Sequence, residues 1–352
     1  MDDDTRPKAI DLFSGAGGTT LGLRRAGFDV RVAVDIDPYK AVTLKANHPN
    51  LKVLGADGTD GDIRHISGRQ LLNEGKLEAD ELTLLVGCPP CQGFSLQGAR
   101  SISDERNSLY LEFVRLIKET QPKITVFENV PGIVSFQAGK ILDDFRLKIQ
   151  AMGYEVATWI LDARDFGIPQ ARKRLFIIGS RAGELPKKPL IKQEKISVWE
   201  AIRDLPLNTL PNVKNNSLSI AYRFPPSSEY ASHLRGKKKK VMNCEMTKHS
   251  LDWLKRIHML GWEERDENTW QIRLHPNKSA PTLTAGTRSR TACRPIHPYS
   301  DRVITVREGA RISSFPDWYI LPKQKAEAWS QIGNCVPPLM AQGIFDQIIK
   351  CV

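Results

Sequence analysis

The sequence predicts an α/β protein: a doubly wound, mostly parallel sheet with a second, smaller domain. Three observations carry this. Short apolar runs of strand length recur through the first half of the chain, with helically spaced stretches between several of them. Glycines and candidate reactive residues gather just after those runs, where ligands sit in open α/β sheets. A length of 352 residues is enough to bury a full α/β core and carry a further domain.

Taken in order, the strand-like runs are 8–13, 30–35, 51–54, 82–87, 124–128, 156–161 and 175–179. A helical pattern over 21–26 follows the first. Ser103 and Asp104 cap another helix, in which Leu109, Phe113 and Ile117 fall at i, i+4 and i+8 on one face. Ile141, Phe145 and Ile149 repeat that spacing before Gly153. Strands alternating with helices argue for parallel pairing.

Bulk properties narrow the class. No apolar run approaches the roughly 18 residues of a membrane helix. The start, Met1-Asp2-Asp3-Asp4, is the reverse of a signal peptide's basic head. The expectation is a cytoplasmic, nucleoid-associated protein with no membrane partner. Six cysteines at this length fit reduced thiols better than a disulfide framework. The net charge of +11 is unevenly placed: −1 over 1–186, +11 over 187–300 and +1 over 301–352. A basic module joined to a near-neutral one suggests a polyanion partner, set against the plainer reading of a lysine-rich solvated surface.

Four motifs carry chemistry. Phe13, Ser14, Gly15, Ala16, Gly17 and Gly18 form a Gly-rich loop after the first strand, and Asp35 lies 20 residues beyond Gly15. Glycines let the backbone turn and approach a ligand, and an acid there suits ribose hydroxyls. Thr20 replaces the third glycine of the dinucleotide pattern, so a nucleotide loop, an NAD loop and a plain tight turn all remain open. Next, Gly87-Cys88-Pro89-Pro90-Cys91-Gln92-Gly93-Phe94-Ser95 places a cysteine held by two prolines just past the fourth strand. A thiol there is a candidate nucleophile. Its CxxC spacing also reads as half a metal site or a redox pair, although no second CxxC follows. Glu128 ends the fifth strand, where a salt-bridged strand end is the plain alternative. Gln170-Ala171-Arg172-Lys173-Arg174 precedes the seventh, and alternation points Arg172 and Arg174 to one face.

These motifs, with Gly333-Asn334-Cys335-Val336-Pro337-Pro338, resemble the DNA (cytosine-5) methyltransferases in their usual order. The resemblance covers nearly the whole chain apart from about 187–277. It implies a class I S-adenosylmethionine-dependent methyltransferase sheet. Residues 1–186 would form the catalytic and cofactor-binding domain, completed by 312–352. Residues 187–311 would form the target-recognition domain and its supporting hinge. Cys91 would be the nucleophile, since the Pro-Cys-Gln pattern selects it over Cys88. Glu128 would act at ring nitrogen 3 of cytosine, Arg174 at its carbonyl oxygen, and Arg172 would orient neighbours.

For S-adenosylmethionine the resemblance implies Phe13 on the adenine, Ser14, Gly15, Gly17 and Gly18 in the loop, and Asp35 on the ribose beside Ile36. Asp37 would lie nearby. Asp62 would contact the adenine amino group, with Asp57 as a rival. Pro90 and Asn334 would complete the pocket, and the helix over 338–349 would pack back on the sheet. No metal is expected. Ser95 lies in a Gly- and Ser-rich loop (93–104) expected to close over the target base.

In the basic segment Lys237, Lys238, Lys239 and Lys240 are candidate phosphate contacts, not readers of sequence. Trp253, Trp262 and Trp270 are expected in the small domain's core. The stretches 279–284 and 302–311 resemble the motif that supports the recognition region, a structural role.

The expected activity is therefore methylation of carbon 5 of cytosine in a specific duplex sequence, through a cysteine adduct on a flipped-out base. The setting expected for so compact a chain is prokaryotic restriction–modification, beside a separately acting cognate endonuclease, with the enzyme working as a monomer. Rivals are a transfer-RNA methyltransferase on the same scaffold, a catalytically silent DNA-binding protein and an NAD-dependent dehydrogenase. The first lacks its usual Cys-Phe-Thr tripeptide here, and the last lacks a hydride-transfer constellation.

Overall fold

In chain order the strands are β1 (Lys8–Leu12), β2 (Asp29–Val34), β3 (Lys52–Leu54), β4 (Leu82–Gly87), β5 (Ile124–Asn129), β6 (Glu155–Asp162), β7 (Gln170–Ala171), β8 (Lys173–Ser180), β9 (Ile220–Ala221), β10 (Lys240–Val241) and β11 (Ala280–Pro281). The helices are α1 (Gly18–Arg25), α2 (Pro38–Asn47), α3 (Gly68–Gly75), α4 (Leu109–Thr120), α5 (Lys140–Gln150), α6 (Val198–Ile202), α7 (Glu229–Arg235), α8 (Leu251–His258), α9 (Val306–Ile312), α10 (Lys325–Asn334) and α11 (Pro338–Ile348). This computed structural model describes residues 5–78, 80–90, 109–135, 139–191, 194–206, 219–226, 228–285 and 295–352. The expected cap at Ser103 and Asp104 lies outside them. The chain divides into two compact units. One holds Met1–Asp162, Lys173–Leu190 and Met340–Val352, the other Ala163–Arg172 and Ile191–Leu339.

The first unit is built on a seven-stranded sheet in the order β3-β2-β1-β4-β5-β8-β6. All seven expected strands are present. Neighbours pair in parallel except around β8, which is antiparallel to both β5 and β6. The reversal follows from chain length. Only residues 163–172 separate β6 from β8, and a parallel return needs a crossover of about a dozen residues or more. The strand order runs outward from β1 in one direction and from β4 in the other, so the topological switch point lies between them. The Gly-rich loop follows β1 and the Cys-Pro-Pro segment follows β4, so both leave the sheet at that point.

Helices cover both faces, as the periodicity predicts. On one side Phe113 of α4, Phe127 of β5 and Phe145 of α5 pack with ring centroids 4.5 to 6.2 Å apart. They share a core with Ile10, Leu12, Val32 and Leu85. Burying each such ring contributes roughly 1.5–3 kcal/mol. Strand side chains alternate, so Asp11, between Ile10 and Leu12, faces the other side. There α1 meets the part of α11 beyond Met340. A Cβ on Gly22 would stand 2.4 Å from that of Ala341, so only glycine permits this approach, and Phe28 meets Phe345 edge-on at 6.2 Å.

The second unit is organised around buried arginines. Arg311 lies between Asp204 (3.1 Å) and Asp317 (2.6 Å), all three buried. Arg307 donates to the carbonyls of Met242, Pro316 and Tyr319 and to the Asn243 side chain. Arg302 makes a two-pronged pair with Glu308 at 2.8 Å on each arm. Glu308 also closes a capping box with Thr305 at the start of α9. Trp253 packs with Ile257, Ile296 and Val303 as expected. Trp262 and Trp270 do not belong to the core: they are 47% and 50% exposed. Trp262 leans edge-on against His275 and Tyr299 and donates its indole N–H to the Pro298 carbonyl. Trp270 sits at φ +59° in a tight turn closed on the Asp266 carbonyl.

Candidate active site

The Gly-rich loop is tied to the end of β2. Ser14 donates from both its amide and its hydroxyl to the Val34 carbonyl, at 2.9 and 3.1 Å. Asp35 accepts the Gly15 N–H (2.7 Å) on one oxygen and the Asp37 N–H (2.9 Å) on the other. Burial raises the Asp35 pKa, opposed by Lys40 and by these two amides. Gly15 and Gly17 take left-handed φ of +56° and +89°, and the side-chain position of Gly15 faces open space. Gly18 begins α1, and Phe13, half-buried, is itself left-handed at φ +55°. Asp37 caps α2 through the Tyr39 amide, while Ile36 stands 62% exposed.

Side chains at Gly55 or Gly61 would strike the Asp35 carbonyl oxygen, at 1.9 and 2.2 Å. Only glycines allow the 55–61 loop to lie against the end of β2. Asp62 follows, buried, and grips Arg64 through both carboxylate oxygens. The hydrogen bonds from Arg64 hold its carboxyl below the usual range against the opposing effect of burial. Asp57 is exposed.

At the next strands Cys88 extends β4 and Glu128 ends β5. Because β8 is antiparallel to β5, its first residues lie at the carboxyl end of β5, and Arg174 Nε meets Glu128 Oε1 at 3.0 Å. Glu128 is 8% exposed. Asn129, a residue that sequence reasoning missed, donates to the Pro89 carbonyl and accepts the Val130 amide, tying the Cys-Pro-Pro segment to β5. A polar residue after Glu128 was its only sequence signal. Pro90 is half-buried at the end of that segment. Cys91 and Ser95, with the rest of 91–108, lie outside the described residues.

Two further carboxyl and thiol groups sit under this edge. Asp11 is fully buried and accepts the Thr20 hydroxyl at 2.5 Å. Burial pushes its pKa up to about 7, with the Thr20 hydrogen bond opposing and the Asp35 charge adding. Cys88 lies 3.8 Å from the Thr19 hydroxyl. Burial, then the charges of Glu128 and Asp11, push its thiol well above the ordinary range. A free thiol already holds only a few per cent thiolate at neutral pH, so Cys88 is a poor nucleophile.

The other expected residues belong to the second unit. Arg172 is buried and donates to the carbonyls of Leu283 (3.0 Å) and Gly333 (2.9 Å), so it binds the 280s strand segment to the end of α10. Asn334 is exposed at that helix end. Lys237, Lys238, Lys239 and Lys240 are all exposed and lead into the two-stranded β9–β10 pair. Nearby, Arg235 stacks over the Tyr222 ring at 3.7 Å. Among the described residues no three His, Cys, Asp or Glu side chains are grouped to hold a metal, and no helix is long and apolar enough to cross a membrane.

Comparison with known proteins matches this arrangement to one family. The profile described as C-5 cytosine-specific DNA methylase matches residues 7–350. The chain is 37% identical to the Type II methyltransferase M.XorII of Xanthomonas oryzae pv. oryzae, over 99% of this chain and 86% of that protein. It is 33% identical to the Type II methyltransferase M.DdeI of Desulfomicrobium norvegicum, over 96% of this chain and 88% of that one. Among solved structures it resembles one described as a DNA modification methyltransferase encoded within a prophage (E. coli). The TM-score is 0.84 and the identity 31%, over 97% of this chain and 98% of that one.

Proposed function

The chain belongs to the C-5 cytosine-specific DNA methylase family and is a DNA cytosine-5 methyltransferase; we propose that it acts on one cytosine of a specific duplex sequence, through a cysteine adduct on a flipped-out base. The observation that carries this reading is Glu128: a nearly buried carboxylate at the carboxyl end of β5, held by Arg174 at 3.0 Å, beside the strand that leads to Cys91.

Carbon 5 of cytosine becomes nucleophilic only after addition at carbon 6. The Cys91 thiolate forms that bond. Glu128 gives a proton to ring nitrogen 3 as the electrons move there, and Arg174 holds the Glu128 carboxylate in place and adds positive charge beside the base. Loss of the carbon 5 proton to solvent then expels the thiolate, and nitrogen 3 returns its proton to Glu128, which restores the ring. S-adenosylmethionine, when bound, supplies the methyl group to carbon 5. The residues present fit it. Gly15 borders open space, Ile36 offers an exposed apolar side chain, and the Asp35 and Asp62 carboxylates are buried at the same edge. Phe13, Ser14, Gly17, Gly18 and Pro90 line this edge in the same reading. Each Asp35 oxygen keeps a lone pair for a ribose hydroxyl beyond the amide it already accepts.

The basic second unit carries target recognition in this proposal, with Lys237–Lys240 on phosphates. Such contacts offset the few kcal/mol needed to flip a base. The likeness to Type II methyltransferases supports a role in protecting host DNA from a cognate endonuclease; the same proposal has the enzyme act in the cytoplasm and as a monomer. The test is base-resolution 5-methylcytosine sequencing of DNA from a methylation-free host expressing the chain, beside its Cys91→Ala variant. Methylation at one short recurrent motif, lost in the variant, is the expected result. Unmethylated DNA from a soluble, S-adenosylmethionine-binding protein overturns it in favour of an RNA substrate or a silent DNA-binding role.

A further inference from the structure

Cys88 is no part of the adduct chemistry, yet its surroundings are too specific for a packing residue. In the β4–β5 pairing Gly87 stands opposite Phe127. One step on, Cys88 falls beside Glu128 and points to the same face of the sheet, as Asp11, Val86 and Val126 do. That face is covered by α1, whose Thr19 hydroxyl lies 3.8 Å from the Cys88 sulfur. By that register the thiol lies next to the Glu128 side chain, whose charge acts on it. Glu128 is thus approached from two sides: by Arg174 of β8 on Oε1 and by Cys88 from the end of β4. Asp11 of β1 completes the charged groups acting on the thiol.

A thiol between a hydroxyl and a carboxylate has one stable arrangement when ionisation is disfavoured. It accepts weakly from Thr19 and donates its S–H to Glu128. Burial and two neighbouring carboxyls keep the proton on sulfur, so the donor persists across the working pH range. We infer that Cys88 is a positioning residue: its S–H, oriented by Thr19, holds the Glu128 carboxylate against Arg174 and sets how readily Glu128 takes up the proton it passes to the base. This rests on the proposed role of Glu128. It differs from the reading of Cys88 as an inert strand end, because it gives the sulfur a hydrogen-bonding partner whose chemistry it alters.

Three variants of the full-length protein test it: Cys88→Ala, Cys88→Ser and Thr19→Val. Methyl transfer to unmethylated genomic DNA is followed against pH, with S-adenosylmethionine affinity as the check on folding. A donor to the carboxylate favours its charged form, so its removal in Cys88→Ala is expected to move the alkaline limb of the kcat profile to higher pH. The plateau falls about tenfold and the KM for S-adenosylmethionine holds. Cys88→Ser, which keeps a donor, returns the limb to its wild-type place, and Thr19→Val shifts it part of the way. A limb that stays put in Cys88→Ala overturns the inference. A second readout does not depend on turnover. The S–H stretching band that disappears in Cys88→Ala should change frequency in Glu128→Gln, and an unchanged band also overturns it. If the wild type transfers no methyl group while the band responds to Glu128→Gln, the proposed function fails and the thiol–carboxylate contact stands.

Discussion

The carboxyl edge of the first unit's sheet and the interior of the second unit both bury charge, but at the edge Asp11 and Asp35 do without the kind of guanidinium that Asp62 and Glu128 have. At the edge, Asp11 accepts one hydroxyl and leaves its other oxygen without a hydrogen bond, and Asp35 is held by two backbone amides. Burial raises the proton affinity of both. In the second unit each of these buried carboxylates meets a guanidinium: Asp204 and Asp317 on Arg311, and Glu308 on Arg302. There burial works against Glu308, but the Arg302 charge and hydrogen bonds win and bring its pKa down to about 2. Fully paired charge locks an architecture; under-paired charge keeps a protonation state open for chemistry.

Removing a guanidinium from the second unit is the harshest test of this contrast. Arg311→Leu leaves Asp204 and Asp317 buried without it, and is expected to cost about 3–5 kcal/mol in chemical denaturation. A melting profile like the wild type's would show that the network is not what holds the unit. At the edge the expected pattern is the opposite. Glu128→Gln should lower kcat by roughly 10²–10⁴ while unfolding at the same denaturant concentration. A comparable loss of stability would make Glu128 another structural ion pair, as its plain sequence reading had it.

The edge was far more legible in the sequence than the network. Phe13–Gly18, Asp35 and Glu128 sit at the ends of apolar runs, so local periodicity alone places them on one side of a sheet. Periodicity says nothing about partners far along the chain. Arg172 reads as a residue that orients its neighbours, but which neighbours is not legible: its guanidinium meets carbonyls 111 and 161 residues away. The antiparallel course of β8, which brings Arg174 to Glu128, follows from the length of the 163–172 connection and not from any motif. The stretch 302–311 reads as a structural support, but only the fold shows that its Arg302, Arg307, Glu308 and Arg311 do so as buried charges. Trp262 and Trp270 err the other way, since aromatic content predicts burial without regard to the turns that carry them.

The two regions should also titrate with opposite signs. Asp11 has its folded pKa raised from 3.8 to about 7, so its contribution is fully present below about 4 and is lost as pH rises through 7. Glu308 has its folded pKa depressed from 4.5 to about 2, so its contribution is present above 4.5 and is lost as pH falls towards 2. His297, buried beside it and lowered to about 4, likewise loses stability on the acid side. Denaturation measured at pH 3, 5 and 8 separates them. Asp11→Asn should flatten the decline between 5 and 8, by an amount on the order of a few kcal/mol. Glu308→Gln should flatten the decline below 4.5. Interchanged effects would contradict the pairing argument.

The mildest change lies outside both regions, where charge is neither buried nor paired for structure. Lys237, Lys238, Lys239 and Lys240 are exposed. Replacing all four with Gln should therefore leave folding unchanged, since exposed side chains contribute little to it. Their effect belongs in DNA binding. Neutralising a phosphate releases counterions, so the slope of log affinity against log salt should fall by up to about 0.9 for each phosphate that a lysine no longer neutralises. Phosphates are the same at every base pair, so the methylated sequence should not change. If the variant instead modifies a different sequence with the salt slope intact, these lysines read base edges. The exposed charge would then be a specificity element, not the electrostatic anchor that its position and solvation support.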